Sequence, residues 1–416
     1  MIRLVSRASL GVALALGMLA TGVATPALAA KKEKAPEAPQ AVLSKEFRLA
    51  IGAAQTAVRG GNAADGAAKL AAAEPLAQQP DEKYYLAATR YELGILTKDK
   101  VLQRKALGEM IGSASKMMSN QIELNMVSGN LAYEAGDYPD AIARFSEAAR
   151  LGSKDVNGFL RLSDANLKLN KFPESLAAID QAIALETVAA NKAPDSWYKR
   201  AVAIAYQSKS GPDLAKWTRA QIKAYPTAEN WRTALVVYRD GAKVEGQQLL
   251  DLMRLMLLTK SLAGERDYSE YASVAIERAL PGEAKAILEE GIASGAVSKS
   301  SVRVSEILTI ATGKIAGDRA SLAASEKQAS AAPTGKVAKG TADGFLGYRE
   351  DAKAIALYRL ALQKGGVDND EVNTRLGIAL ARSGQKDEAR KAFGAVTSSP
   401  RADIAKFWLL YLDTAA

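Results

Sequence analysis

Apolar and small residues recur in two neighbouring segments, 136–151 and 170–185, at the spacing of one face of a helix. Corresponding positions are 34 residues apart: Tyr138 and Phe172, Pro139 and Pro173, Phe145 and Ile179, Ala148 and Ala182. A period of 34 residues is typical of stacked helix hairpins. The pattern therefore predicts two successive helix pairs of the same design.

The residues between these helices indicate where each one ends. Gly136 and Asn170 are residue types that tolerate the left-handed backbone at a helix C-terminus. Pro139 and Pro173 fall in the first turn of the following helix, where a missing N–H costs nothing. Each segment is therefore predicted to turn and start a second, antiparallel helix.

A frame of small, small, large and small residues, at offsets of 0, 12, 16 and 19, occurs five times. The five frames start at Ala54, Gly129, Ser163, Ala342 and Gly377, and their turn residues are Gly61, Gly136, Asn170, Arg349 and Gly384. Segments 129–185 and 375–396 resemble tetratricopeptide repeats (TPRs). The resemblance implies an all-α fold: a right-handed superhelical α-solenoid of antiparallel helix pairs with a concave groove.

The repeat is less regular between residues 197 and 298, where helical hairpins are predicted but their register is left open. We divide the chain into a signal peptide, 1–29; a flexible leader, 30–43; a TPR-like array, 44–320; a loose connection, 321–340; and a C-terminal TPR-like block with a capping helix, 341–416. Residues 321–340 are rich in Ala, Ser, Gly and Lys, and they are either this connection or the poor first helix of the repeat built on Ala354. The apolar run 407–412 is either the capping helix or an exposed partner-binding helix.

The N-terminus has the three parts of a secretory signal peptide. Arg3 and Arg7 precede an apolar stretch, 10–23, and Ala27 and Ala29 supply small residues at a cleavage site. We expect cleavage after Ala29 and export to the periplasm or cell envelope of a Gram-negative bacterium. No membrane span is expected after cleavage, because the most apolar later stretch, 249–258, is interrupted by two charges, Asp251 and Arg254.

Composition removes most enzyme chemistry. The chain has no Cys and no His, so thiolate nucleophiles, imidazole bases and Cys/His zinc sites are excluded. No phosphate-binding glycine loop is present, and the acidic run 368–371 lacks the spacing of a calcium loop. The net charge of +9 comes from basic residues interspersed with acidic ones, which does not favour nucleic-acid binding. The sequence therefore predicts a protein that is not an enzyme, with no cofactor and no metal.

The resemblance also implies which side chains face the groove, because the first helix of each TPR pair lines the concave side. The candidate partner-binding residues are Met126, Asn130, Tyr133, Asp164, Lys168, Tyr198 and Tyr206. The family's clamp for a C-terminal carboxylate needs a cation where this chain has Met126 and Leu160. The mixed surface is suited to an extended peptide or a helix.

Two hypotheses on function remain. The first is a scaffold or adaptor that binds a protein or peptide in the groove. The second is a structural spacer or assembly component of envelope or polysaccharide export machinery without a discrete ligand. The identity of the partner and the oligomeric state are left open by the sequence.

Overall fold

The computed structural model describes residues 40–188 and 192–415. The predicted signal peptide and leader residues 30–39 lie outside these ranges. All regular secondary structure in the described residues is helical, and consecutive helices pack against each other in pairs. The prediction of an all-α solenoid of antiparallel helix pairs is therefore confirmed.

Five successive pairs form what we call the N-terminal array. They are α1 (Lys45–Arg59) with α2 (Ala63–Ala73), α3 (Pro80–Leu96) with α4 (Lys100–Gly112), α5 (Gln121–Glu134) with α6 (Tyr138–Arg150), α7 (Val156–Lys168) with α8 (Phe172–Val188), and α9 (Asp195–Gln207) with α10 (Gly211–Ala224). A single 3₁₀ turn (Glu74–Leu76) follows α2. The first helices of neighbouring pairs also contact each other: α1 contacts α3, and α5 contacts α7.

The predicted turn residues have the backbone that the sequence demanded. Gly61, Gly136, Asn170, Arg349 and Gly384 have φ angles of 80°, 76°, 56°, 60° and 76°. Each of them ends the first helix of a pair in the left-handed region, which leaves the last carbonyls of the helix bonded. The register of the repeat could be read from these positions for this reason.

The small and large residues of the frame meet inside each pair. A Cβ atom added at Gly129 would lie 2.8 Å from the Phe145 ring, and one at Gly377 would lie 2.6 Å from the Phe393 ring. Only glycine lets the aromatic ring of the second helix lie directly on the backbone of the first. Small and large residues that are 16 positions apart in the sequence therefore pack against each other in the structure.

The remaining helices form what we call the C-terminal bundle. They are α11 (Ala228–Ala242), α12 (Gly246–Leu258), α13 (Gly264–Glu277), α14 (Pro281–Ala293), α15 (Val302–Ala329), α16 (Lys336–Gly347), α17 (Asp351–Lys364), α18 (Asn369–Arg382), α19 (Lys386–Gly394) and α20 (Arg401–Thr414). The last helix, α20, packs on α18 and α19 and also on α10 and α12. The end of the array therefore folds back on its middle, and residues 249–256 of α12 are buried.

The sequence leaves two segments with alternative forms. Residues 321–340 are helical up to Ala329 in α15 and again from Lys336 in α16, with only a short turn between them. Small residues in this segment suit helix as well as loop, and Leu322 and Ala338 anchor it by burial. The apolar run 407–412 lies in α20, where Phe407, Trp408 and Leu412 are buried against the bundle.

A network of charged side chains fills the centre of the C-terminal bundle. Asp251 Oδ1 accepts hydrogen bonds from Arg254 at 2.8 Å and Arg375 at 3.4 Å, and its Oδ2 accepts one from Arg401 at 2.7 Å. The four charges belong to α12, α18 and α20, and each residue is at least 93% buried, since the largest exposure is the 7% of Arg401. Ionised groups this deep require such partners.

Further carboxylates balance the arginines. Arg254 makes a two-bond pair with Glu283 at 2.8 and 2.6 Å, and Arg375 reaches Asp343 at 2.8 Å. The hydroxyl of Tyr271 donates to Glu283, and that of Tyr358 donates to Asp343. This second set of contacts ties α13, α14, α16 and α17 to the same centre.

Acid is expected to weaken the bundle through two of these carboxylates. Burial alone would raise the pKa of Glu283 and of Asp343, but the Arg254 and Arg375 guanidiniums outweigh it and hold both pKa values below their usual range. Because the folded pKa is the lower one, this stabilisation is fully present above the unfolded pKa of about 4 and is lost as pH falls through the folded values.

The absence of His makes this dependence easy to isolate, since no imidazole titrates near neutrality. We expect the free energy of unfolding in urea, followed by circular dichroism, to be level from about pH 7 to about pH 5.5 and to fall below about pH 4.5. Stability that increases from pH 5 to pH 3 would contradict the direction of both pKa shifts.

Candidate partner-binding groove

The candidate residues lie on three first helices of the N-terminal array. Met126, Asn130 and Tyr133 are on α5, Asp164 and Lys168 on α7, and Tyr198 and Tyr206 on α9. Helices α5 and α7 contact each other directly. The structure places these residues on adjacent helices, and their exposure differs.

Tyr133 and Asp164 belong to one cluster with two arginines. The guanidinium carbon of Arg161 lies 5.6 Å from the centre of the Tyr133 ring, and Arg200 donates a hydrogen bond to Asp164. Tyr133 also meets the Tyr138 ring edge-on, with ring centres 5.7 Å apart. Partial burial lowers the pKa of the Arg200 guanidinium, and the nearby Tyr133 opposes that shift.

Arg161 and Arg200 supply the cations that sequence reasoning did not find. The two repeat positions at which the TPR clamp has a cation hold Met126 and Leu160 in this chain. A signal was present in the spacing of opposite charges, because Arg200 follows Asp164 by 36 residues. The pairs Asp140–Arg104 and Asp180–Lys216 have the same separation and also bridge neighbouring repeats.

Two of the α5 residues are partly covered. The terminal methyl of Met126 lies 2.5 Å from a Cβ atom built on Gly158 of α7, so it fills the space that this glycine leaves. Asn130 is half-buried, and its side-chain oxygen has no hydrogen-bond partner among the described residues. Lys168 is exposed near the end of α7. The side-chain oxygen of Asn130 is buried and is not open to a bound peptide.

Tyr198 is a core residue. It is 9% exposed, and its ring meets Tyr225 edge-on with ring centres 6.0 Å apart. The expected position assumed a period of 34 residues, but α9 begins 39 residues after α7 (195 − 156) because α8 is long. With an offset of 39 residues, the position on α9 that corresponds to Asp164 on α7 is Ala203. Tyr198 therefore lies on a different face of α9, towards the interior.

An open apolar cleft of about 360 Å³ lies between α9, α10 and α11. Its lining includes Val202, Tyr206, Leu214 and Val237. Tyr206 is 67% exposed, and Lys199 and Glu229 form an ion pair of 3.0 Å at the cleft. Helix α9 therefore carries both this apolar cleft and Arg200 of the charged cluster.

We define the groove surface as the cluster and the cleft together: Asn130, Tyr133, Arg161, Asp164, Arg200 and Tyr206. It offers aromatic faces, two guanidiniums, one carboxylate and an amide. Such a surface can hydrogen-bond an extended backbone and bury an apolar side chain. Within residues 40–188 and 192–415, no group of three or more Asp or Glu side chains is placed to hold a metal ion. No helix in the same ranges has the length and apolar character to cross a membrane.

No family model matches the chain, and no curated protein matches it in sequence. Solved structures of helical repeat proteins do align with it. A tetratricopeptide repeat protein from Parabacteroides merdae ATCC 43184 is 11% identical over 80% of this chain and 99% of that one, with a TM-score of 0.22. PilW, a type IV pilus biogenesis factor, is 14% identical over 64% of this chain and 99% of its own, with a TM-score of 0.24. The TPR2AB domain of yeast Sti1, in a complex with pHSP90, is 10% identical over 71% of this chain and 98% of its own, with a TM-score of 0.24. Superpositions at this level identify neither a family nor a ligand.

Proposed function

We propose that this chain is a non-enzymatic scaffold of the bacterial periplasm that binds an extended segment of another protein along the groove surface. The observation that carries the proposal is the apolar cleft beside α9, which the described residues leave open, whereas they bury residues 249–256 of α12 in the C-terminal bundle. Helix α9 carries both this cleft and Arg200 of the charged cluster.

The chemistry of the surface indicates what the segment contains. One aliphatic or aromatic side chain fits the cleft against Val202, Leu214 and Val237. An aromatic or acidic side chain of the segment contacts Tyr133 and Arg161. A periplasmic location is supported by the signal-peptide pattern of residues 1–29.

The variant Tyr206→Ser tests the groove surface. Because the Tyr206 side chain is 67% exposed, its loss is expected to change the free energy of unfolding by no more than about 0.5 kcal/mol. We expect capture of the bound protein from periplasmic extract to fall at least about tenfold, as for an aromatic contact at the centre of an interface. The matched control is Arg150→Ser on α6, an exposed position two helix pairs earlier.

Each result of this capture experiment is informative. Equal capture by both variants would place the binding surface away from α9. Failure of the unaltered chain to capture any protein would instead favour the spacer hypothesis.

A further inference from the structure

Helix α15 is unlike the other helices of the bundle. It spans 28 residues, against 9 to 15 for the other helices of the bundle, and it packs on α13, α14 and α16 through one line of side chains. Val304, Ala311, Leu322 and Ala329 form that line and are buried. The face opposite this line is covered by none of the described residues.

The uncovered face carries an unusual pattern. Seven residues, spaced alternately by four and three positions, lie along it, and all are exposed; we call them the outer stripe: Glu306, Ile310, Gly313, Gly317, Ala320, Ala324 and Lys327. This is the spacing of a coiled-coil seam. The outer face of a surface helix normally carries charged residues, but here charges occur only at the two ends and Ile310 is 48% exposed.

The two glycines of the outer stripe have no internal explanation. A Cβ atom added at Gly313 or Gly317 would meet no atom within 4 Å, unlike one at Gly129 or Gly377, where an aromatic ring lies on the backbone. Glycine in a helix interior is less favourable than any residue except proline. A surface that approaches the α15 backbone closely from outside would account for both positions, since small residues let two helices come together.

The end charges identify that surface. In an antiparallel pair of α15 helices, residues whose numbers add up to about 633 face each other, so Glu306 faces Lys327 of the second copy at both ends (306 + 327). Gly313 faces Ala320 in the same way (313 + 320), and Ile310 faces Ala324 (310 + 324 = 634). Neither Glu306 nor Lys327 forms an ion pair with another described residue. The stripe is therefore complementary to itself about a two-fold axis, as an isologous interface requires.

We propose that two copies of this chain associate through α15, packed antiparallel along the outer stripe. The contact would extend for about 30 Å, the rise of the helix over the 21 steps from Glu306 to Lys327. Ion pairs between Glu306 and Lys327 define the register, and the glycine and alanine positions allow close contact at the centre. The outer stripe shares no residue with the groove surface on α5, α7 and α9, and the dimer is independent of the function proposed above.

The double variant Gly313→Gln/Gly317→Gln separates association from folding. Glutamine is a better helix former than glycine, so the monomer is expected to become more stable to urea. Its side chain blocks close approach at the two-fold axis, so the dimer dissociation constant of the full chain should rise at least about tenfold in sedimentation velocity. The conservative control is Gly313→Ala/Gly317→Ala, which adds only a methyl group at each position and keeps most of the association.

Charge exchange tests the register. Glu306→Lys places lysines opposite lysines, and Lys327→Glu places glutamates opposite glutamates, so each single variant is expected to be monomeric where the unaltered chain is dimeric. A mixture of these two single variants forms a heterodimer with both ion pairs restored, and the double exchange Glu306→Lys/Lys327→Glu restores the homodimer.

Four results would overturn the proposal. The proposal is wrong if the unaltered chain remains monomeric at about 100 μM. That concentration is roughly a hundred times a dissociation constant of about 1 μM, which is typical of a weak specific complex. A dimer that the glutamine variant leaves intact lies at another surface. Single charge variants that fail to associate when mixed exclude the antiparallel register, and protection of the stripe in a monomer would assign it to another segment of the chain.

Discussion

Replacement of Asp251 by Ala is expected to lower the free energy of unfolding by about 3–5 kcal/mol, the range found when one partner of a buried ion pair is removed. Asp251 is fully buried and is the common acceptor for Arg254, Arg375 and Arg401. Its removal leaves three buried guanidiniums without their common acceptor. Arg254 retains Glu283, and Arg375 retains Asp343, but Arg401 keeps only a distant carboxylate, Glu371 at 3.8 Å.

Arg401 begins α20, so the loss is expected to act on the docking of that helix. The measurement is urea unfolding at pH 7, followed by circular dichroism and tryptophan fluorescence. The control Lys406→Ala removes an exposed charge from the same helix and should change the free energy of unfolding by less than about 0.5 kcal/mol.

A double variant tests whether the cost arises from unpaired charge. Asp251→Leu/Arg401→Met replaces both partners by apolar side chains and is expected to be more stable than Asp251→Leu alone. Equal stability of these two variants, or a loss below about 1 kcal/mol for Asp251→Ala, would show that the network contributes little.

The part of the fold that the sequence predicted is local. Gly129 and Phe145, or Gly136 and Pro139, lie within one 34-residue unit, and the physical requirement of each position can be stated from the residue alone. A left-handed turn needs Gly or Asn, and a ring lying on a backbone needs Gly. Every frame built on such positions corresponds to a helix pair in the structure.

The closure of the bundle depends on distant residues. Asp251 contacts residues 124 and 150 positions later in the chain, Arg375 and Arg401. In the sequence, Asp251 and Arg254 only interrupt an apolar stretch. Nothing near them indicates that their partners lie on helices at the far end of the array.

The candidate site was predicted in part for the same reason. Asn130, Tyr133 and Asp164 fall in regular repeats, and the structure brings Tyr133 and Asp164 into one cluster. Tyr198 follows the longer helix α8, and five additional residues rotate it into the core. Arg161 and Arg200 were missed because their role comes from contacts between repeats.

Replacement of Trp408 by Ala is expected to open the bundle at α20 and to lower the free energy of unfolding by about 3–5 kcal/mol, the usual cost of such a truncation in a core. Trp408 is fully buried, stacks on Phe393 with ring centres 5.6 Å apart, and meets Tyr411 edge-on at 6.0 Å. Its indole N–H also donates to the backbone oxygen of Asp251 at 3.4 Å, which joins the aromatic cluster to the charged network.

Hydrogen exchange distinguishes this opening from general destabilisation. Because α20 covers α10 and α12, amides of these helices are expected to exchange faster in Trp408→Ala, while those of α1 to α6 keep their protection. The matched control is Trp217→Ala, which removes an equally buried indole from a separate cluster around α8, α9 and α10. Its effect should appear in those helices and leave α18 protected. Identical exchange patterns in the two variants would mean that the whole chain unfolds as one unit and that α20 does not open separately. Distinct patterns would mean that α20 holds the bundle closed and that the array bearing the groove surface is stable without it.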